Sequence, residues 1–126
     1  MIILKSFNDQ YEHDAGDLIL QSIGTCLRKQ ANTSEVVCRY GGDEFSIIVT
    51  GYTLSAIKEF AETLRLKIKQ INIEYNGTNL NMFSVSIGIA LFPQHGTSYS
   101  DLLAAADTAL FQAKRKGRDQ IAVFTY

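Results

Sequence analysis

Apolar and polar positions change period several times along the 126-residue chain, and each change marks an element. A short apolar run opens it: residues 1–7 (MIILKSF) read as the end of a buried strand. From residue 14 to about 30, Leu18, Ile19, Leu20, Ile23, Cys26 and Leu27 follow helical spacing. Residues 36–40 and 45–50 are rich in β-branched and aromatic types and predict two strands joined through Gly41 and Gly42. Next, Ile57, Phe60, Ala61, Leu64, Ile68 and Ile71 form one stripe of an amphipathic helix. Asn76-Gly77 is a strong hairpin signal. Residues 84–91 (SVSIGIAL) alternate apolar and small, as a half-buried strand does. Ser98 with Asp101 three positions on resembles an N-terminal cap, an Asp standing in for the usual Glu. The helix it opens runs to about Lys116 and stops at Gly117, well suited to the C′ position. Residues 121–124 predict a last strand.

The order is strand, helix, two strands, helix, three strands, helix, strand. Helices intermixed with such strands predict an α/β (α+β) sandwich, with helices packed on a mostly antiparallel central sheet. Length and a 46% hydrophobic, 20% charged composition suit one domain with a real core, spanning residues 1–126. The net charge of -1 provides no global field toward nucleic acid or an anionic membrane, so neither is an expected partner of this domain. No apolar stretch approaches the ~20 residues of a spanning helix, and no signal peptide opens the chain. Cys26 and Cys38 fall at apolar positions without a CxxC pattern, which predicts two buried free thiols in a reducing, cytoplasmic setting.

Three polar clusters carry candidate chemistry, each with a plain alternative. Gly41-Gly42-Asp43-Glu44 joins two strands. Glycines let a ligand approach the backbone, and a carboxylate at a strand end can coordinate Mg²⁺. On spacing alone, a Gly-Gly hairpin turn with a solvated acidic pair is the commoner arrangement. In residues 8–17 (NDQYEHDAGD), Asn8, His13 and Asp17 could line a pocket for a guanine edge, since a carboxylate accepts from adjacent N–H groups. The alternative is a polar loop in which Asp14 or Asp17 caps a helix. In residues 113–118 (AKRKGR), cations near a helix C-terminus favour the macrodipole with no ligand at all. A phosphate site there needs Lys114 and Arg118 to face one cleft.

Together and in this order, the clusters resemble the GGDEF domain of diguanylate cyclases. RYGGDEF (39–45) is the signature. Upstream, KSFNDQYEHDAGD is similar to the family's K-x-x-N-D-x-x-G-H-x-x-G-D, matched by Lys5, Asn8, Asp9, His13, Gly16 and Asp17. Downstream, SVSIGIA resembles the family's strand, and ADTALFQAKRKGRD resembles its A-D-x-A-L-Y-x-A-K-x-x-G-R-N stretch. The resemblance implies a fold like the palm of nucleotidyl cyclases and polymerases. It also implies condensation of two GTP into cyclic di-GMP and two pyrophosphates. Asp43 would be the catalytic carboxylate and hold Mg²⁺ (or Mn²⁺), with Glu44 in the same acidic site. Gly41 and Gly42 would let the nucleotide lie against the hairpin. Asn8, His13 and Asp17 would line the base pocket. Lys5 would stabilise the transition state, and Lys114 with Arg118 would hold the terminal phosphates. One domain binds one GTP, so a homodimer is implied. Sensor or phosphodiesterase domains, and a membrane anchor, would belong to the parent protein.

The chain also departs from the pattern. The family's metal-binding Asp lies five residues before the position of Lys5, ahead of Met1, and its next acidic position falls on Ile2. Leu4 stands where a Phe is usual, and an upstream segment of the family is not present here. These features predict an N-terminally truncated or degenerate copy. The alternative function is a catalytically impaired GTP-binding regulatory module, and a purely structural dimerisation domain is a third. Glu12 replaces the glycine before His13, adding charge near the base pocket. The family's inhibitory R-x-x-D window reads Asn32-Thr33-Ser34-Glu35, which predicts no product inhibition through that site.

Overall fold

The computed structural model describes residues 2–8, 16–30, 36–39, 44–75, 77–80 and 84–125. Its elements follow the expected order. They are β1 (Ile2–Asn8), α1 (Gly16–Gln30), β2 (Val36–Arg39), β3 (Glu44–Val49), α2 (Leu54–Lys69), β4 (Ile73–Tyr75), β5 (Thr78–Leu80), β6 (Val85–Leu91), α3 (Tyr99–Arg115) and β7 (Ile121–Val123). Five strands form one sheet in the order β2-β3-β1-β6-β7, while β4 and β5 form a separate hairpin across Gly77, whose φ is +78°. In the main sheet β2–β3, β3–β1 and β1–β6 pair antiparallel, and β6–β7 pair parallel.

Local chemistry sets the helix ends. Thr53 Oγ1 accepts from the Ala56 N–H at 3.1 Å and caps α2, and Ser98 Oγ accepts from the Asp101 N–H at 3.1 Å and caps α3. Each such cap stabilises its helix by about 1 kcal/mol. At the other end of α3, Gly117 takes φ +121°, a left-handed conformation that glycine adopts without strain. Helix α2 stops at Lys69, so Ile71 lies just beyond the stripe to which its spacing assigned it, half-buried against the core.

Strand alternation divides the interior in two. Odd positions of β3 and β6 (Phe45, Ile47, Val49, Val85, Ile87, Ile89, Leu91) meet Ile23 and Leu27 of α1 and Ile57, Ala61, Leu64 and Ile68 of α2. The even positions face α3, where Ala90, Leu102, Ala105 and Ala106 form a smaller cluster with Ile48 and Phe124 at its margin. Strand β6 is therefore buried at every position, not half-buried as its alternation predicts. The small residues mark a face closed by a helix, not one open to water. Gly88 shows why: a Cβ there would lie 2.2 Å from the Ala106 carbonyl oxygen and 2.4 Å from the Leu110 nitrogen.

Cys26 is a free thiol but half-buried, against the expectation of full burial. Burial pushes its pKa up, partly opposed by the charges of Lys67 and Lys29. The side chain of Cys38 lies outside the description. Among the described residues no helix is long and apolar enough to cross a membrane.

Candidate functional site

Backbone register brings two candidate positions, Asn8 and Glu44, to one end of the sheet. Strand β1 ends there at Asn8, opposite Val85 at the start of β6. Strand β3 begins there at Glu44, opposite Phe7, and β2 ends there at Arg39, opposite Phe45. Because β7 runs parallel to β6, the chain must return from Leu91 to the starting end before β7 can form. Helix α3 makes that return, and its C-terminal turn delivers Lys114 and Arg118 to the end that holds Asn8 and Glu44. Five residues separate the end of α1 from the start of β2 at the far end, so α1 runs away from the site and opens at it, with Asp17 in its first turn. Lys5 lies further in, mid-strand, between Ser46 of β3 and Gly88 of β6. His13, Gly41, Gly42 and Asp43 lie outside the described residues, as do Glu12 and the 32–35 window.

Glu44 and Ser86 are both opposite Phe7, on either side of β1, and so share the sheet face that α3 covers. Two strand spacings separate them, about 10 Å. Glu44 is half-buried and Ser86 fully buried. One row further in, Ser46 is buried, and its hydroxyl has no hydrogen-bond partner among the described residues. The acidic end of β3 thus faces, across β1, strand β6, whose Ser86 holds the basic turn. Among the described residues no three His, Cys, Asp or Glu side chains form a complete metal cage. Mg²⁺ does not require one, because it binds through one or two carboxylates together with substrate phosphates. An adjacent carboxylate pair at a strand start, Asp43 and Glu44, has the hard oxygen donors that such a cation takes.

The basic turn is built from an unusual run of backbone. Gly117, Arg118 and Asp119 all have positive φ, at +121°, +64° and +50°. For the two non-glycine residues such conformations cost about 1–3 kcal/mol each and persist only where surroundings enforce them. The Arg118 N–H donates to the Ala113 carbonyl at 3.0 Å, closing the helix end. Asp119 is gripped on every polar group the structure pairs. Its Oδ1 accepts from Arg65 Nη1 at 2.7 Å and its Oδ2 from Lys69 Nζ at 2.7 Å. Its carbonyl accepts from Arg65 Nη1 at 3.2 Å, and its N–H donates to Ser86 Oγ at 3.1 Å. Glu62 in turn accepts from Arg65 Nε. Burial pushes the Asp119 carboxyl up, but the hydrogen bonds and charges of Lys69 and Arg65 outweigh it and hold it below its ordinary value.

Sequence reasoning missed Arg65, Lys69 and Asp119. Their only local signal is the spacing of Glu62, Arg65 and Lys69 at three and four residues along α2, a pattern of solvated helix faces generally. Their partner lies 50 or more positions downstream. Lys114 is half-buried in the last turn of α3, and Arg118 is exposed in the turn beyond it.

Comparison with known proteins covers nearly the whole chain. A family model described as "Diguanylate cyclase, GGDEF domain" matches residues 1–120. Diguanylate cyclase A of Treponema denticola is 30% identical over 117 residues, covering 93% of this chain and 31% of its own length. The diguanylate cyclase DosC of Escherichia coli strain K12 is 36% identical over 118 residues, covering 93% of this chain and 25% of its own. The chain thus spans less than a third of these curated relatives. Among solved structures, the GGDEF domain of YfiN (TpbB) from Pseudomonas aeruginosa superposes with a TM-score of 0.91 at 29% identity, covering 99% of this chain and 82% of that one.

Proposed function

The chain belongs to the GGDEF family, and from that premise we propose that it is a diguanylate cyclase catalytic domain, condensing two GTP into cyclic di-GMP and two pyrophosphates. One observation supports the reading: the acidic start of β3 and the basic turn before β7 lie at the same end of the sheet, and Glu44 shares a face with Ser86, which accepts from the turn's Asp119 N–H. A triphosphate needs such a pair of walls, carboxylates toward its cations and Lys or Arg toward its oxygens.

In this reading Asn8 and Asp17 take the guanine edge, with His13 beside them. Gly41 and Gly42 leave room for the nucleotide against the hairpin. Lys114 and Arg118 hold the terminal phosphates, and Lys5 neutralises charge that develops at the reacting phosphorus. Asp43, supported by Glu44, would hold Mg²⁺ or Mn²⁺, which when bound would lower the barrier by stabilising negative charge on the phosphoryl oxygens. The 3′-oxygen of one GTP attacks the α-phosphorus of the other, and pyrophosphate leaves. Two such bonds close the ring. With one GTP per domain, two domains must meet face to face about a two-fold axis. The rate per molecule should then rise with concentration. Sensor or phosphodiesterase domains of a longer parent protein would control that encounter, and the domain itself would work in the cytoplasm.

Mass spectrometry of cyclic di-GMP formed from GTP and Mg²⁺ at high protein concentration tests the proposal. Asp43→Ala is expected to lower the product at least about 100-fold, the scale on which charge-stabilising groups act. Product that survives the substitution would refute the role of Asp43. No product from the unaltered chain, with GTP still bound, would mean either a truncated enzyme or a GTP-binding regulatory module, and restoring the residues upstream of Met1 would separate the two.

A further inference from the structure

The basic turn is held from both faces of the sheet, and the grip ends one residue away from Arg118. We propose that Arg65 of α2, acting through Asp119, is a positioning residue that sets the direction of Arg118 toward the nucleotide phosphates. The inference rests on the reading of Arg118 as a phosphate ligand.

The turn is where the chain crosses from the α3 face to the sheet edge at β7. From one face, Arg65 and Lys69 of α2 take both carboxylate oxygens of Asp119, and Arg65 also takes its carbonyl. From the other, the buried hydroxyl of Ser86 takes its N–H. On the preceding residue, the Arg118 N–H is tied to Ala113. Arg118 is thereby bracketed on both sides, and its own φ of +64° is one that an unrestrained arginine seldom adopts. Partly exposed ion pairs add little to stability, so a contribution to folding energy is a poor account of four contacts on one turn residue. What they determine is geometry. Releasing Asp119 would let Arg118 relax to negative φ, which changes the direction in which its side chain leaves the turn. Ser86 couples the two walls directly, because it sits in one row with Glu44 and holds the turn.

The test is equilibrium binding of GTP and of guanosine, with Mg²⁺, to the unaltered chain, Arg65→Ala, Arg65→Lys, Asp119→Asn, Arg118→Ala and the Arg65→Ala/Arg118→Ala pair, each confirmed folded by circular dichroism. Arg65→Ala and Arg118→Ala should each weaken GTP by about tenfold, the worth of one charge-assisted contact. Guanosine affinity should not change. The double variant should lose no more than Arg118→Ala alone, and Arg65→Lys and Asp119→Asn should fall in between. Amide exchange at Arg118 and Asp119 should quicken in Arg65→Ala while β6 stays protected. Unchanged GTP affinity in Arg65→Ala, an additive loss in the double variant, or unchanged exchange at Arg118 would each overturn the proposal. Failure of the unaltered chain to bind either ligand would instead sink the functional reading, and exchange at Arg118 would still decide whether Arg65 sets the turn.

Discussion

Strands β3 and β6 present two different surfaces from alternate residues of the same sequence. On the α1/α2 side the surface is Phe45, Ile47, Val49, Val85, Ile87, Ile89 and Leu91; on the α3 side it is Ser46, Ile48, Ser86, Gly88 and Ala90. The first surface buries bulk, at roughly 1.5–3 kcal/mol for each large aliphatic side chain. The second buries little and brings a helix against bare backbone. That contrast separates what stabilises the domain from what aims it. A core of interdigitated aliphatics tolerates exchange among similar shapes. A helix seated on Gly88 has one height above the sheet, and with it the turn at its end has one place.

Substitution on the two surfaces should therefore have unlike consequences. Gly88→Ala is the sharpest, because its methyl group would meet the backbone of α3 at Ala106 and Leu110, which cannot rotate aside. It is expected to cost about 3 kcal/mol or more, at or beyond the upper end of ordinary overpacking. In the molecules that remain folded, GTP affinity should fall with α3 displaced while guanosine affinity is kept. Equal affinity for GTP before and after would show that the height of α3 does not set the basic turn. Its counterpart across the sheet is Ile89→Val, at a position with no exposure. Denaturant unfolding should show a loss of about 1 kcal/mol, and GTP binding should not move. A change in binding from this variant would erase the division between the two surfaces.

The same contrast explains what the sequence disclosed. Elements governed by neighbours in the chain were legible: the Ser98 cap, the Gly117 stop, the Asn76-Gly77 hairpin and the stripe of α2 all express local chemistry. The α3 surface was not. Alternating apolar and small residues in 84–91 describe a strand with one wet face as well as one with a helix pressed on it, and only the packing of Ala106 on Gly88 distinguishes them. At the candidate site, residue types such as Asn8, Glu44 and Arg118 were recognisable from their motifs. Their shared end of the sheet is a property of register and of the parallel return through α3. Arg65 and Asp119 were out of reach altogether, since an ion pair between α2 and a turn 54 residues later leaves no periodic trace.

The smallest expected effect tests whether the α3 side alone responds to pH. At the far end of β6, His95 Nδ1 accepts from the Leu91 N–H at 2.9 Å, and the His95 N–H donates to the Leu91 carbonyl at 2.8 Å. The ring packs edge-on against Phe124 and lines a hollow with Gly96, Asp101, Ala104, Ala105 and Thr108. Burial disfavours the imidazolium and holds its pKa below the ordinary 6.5. The bond to Leu91 requires a bare Nδ1, so a second proton would set two donors against each other. The unfolded chain takes that proton first. Stability contributed by the neutral ring is thus complete above pH 6.5 and is lost as the pH falls from there through the lower folded value. The loss should stay below about 1 kcal/mol, the worth of one neutral hydrogen bond. His95→Asn keeps an acceptor near the position of Nδ1 and removes the titration, so its unfolding free energy should be flat between pH 7 and about 5 where that of the unaltered chain declines. Ile89→Val, with no titrating group added or removed, should run parallel to the unaltered chain over the same range. A decline of equal size in His95→Asn would place the pH response elsewhere, and the two surfaces would differ in shape and bulk but not in their response to protons.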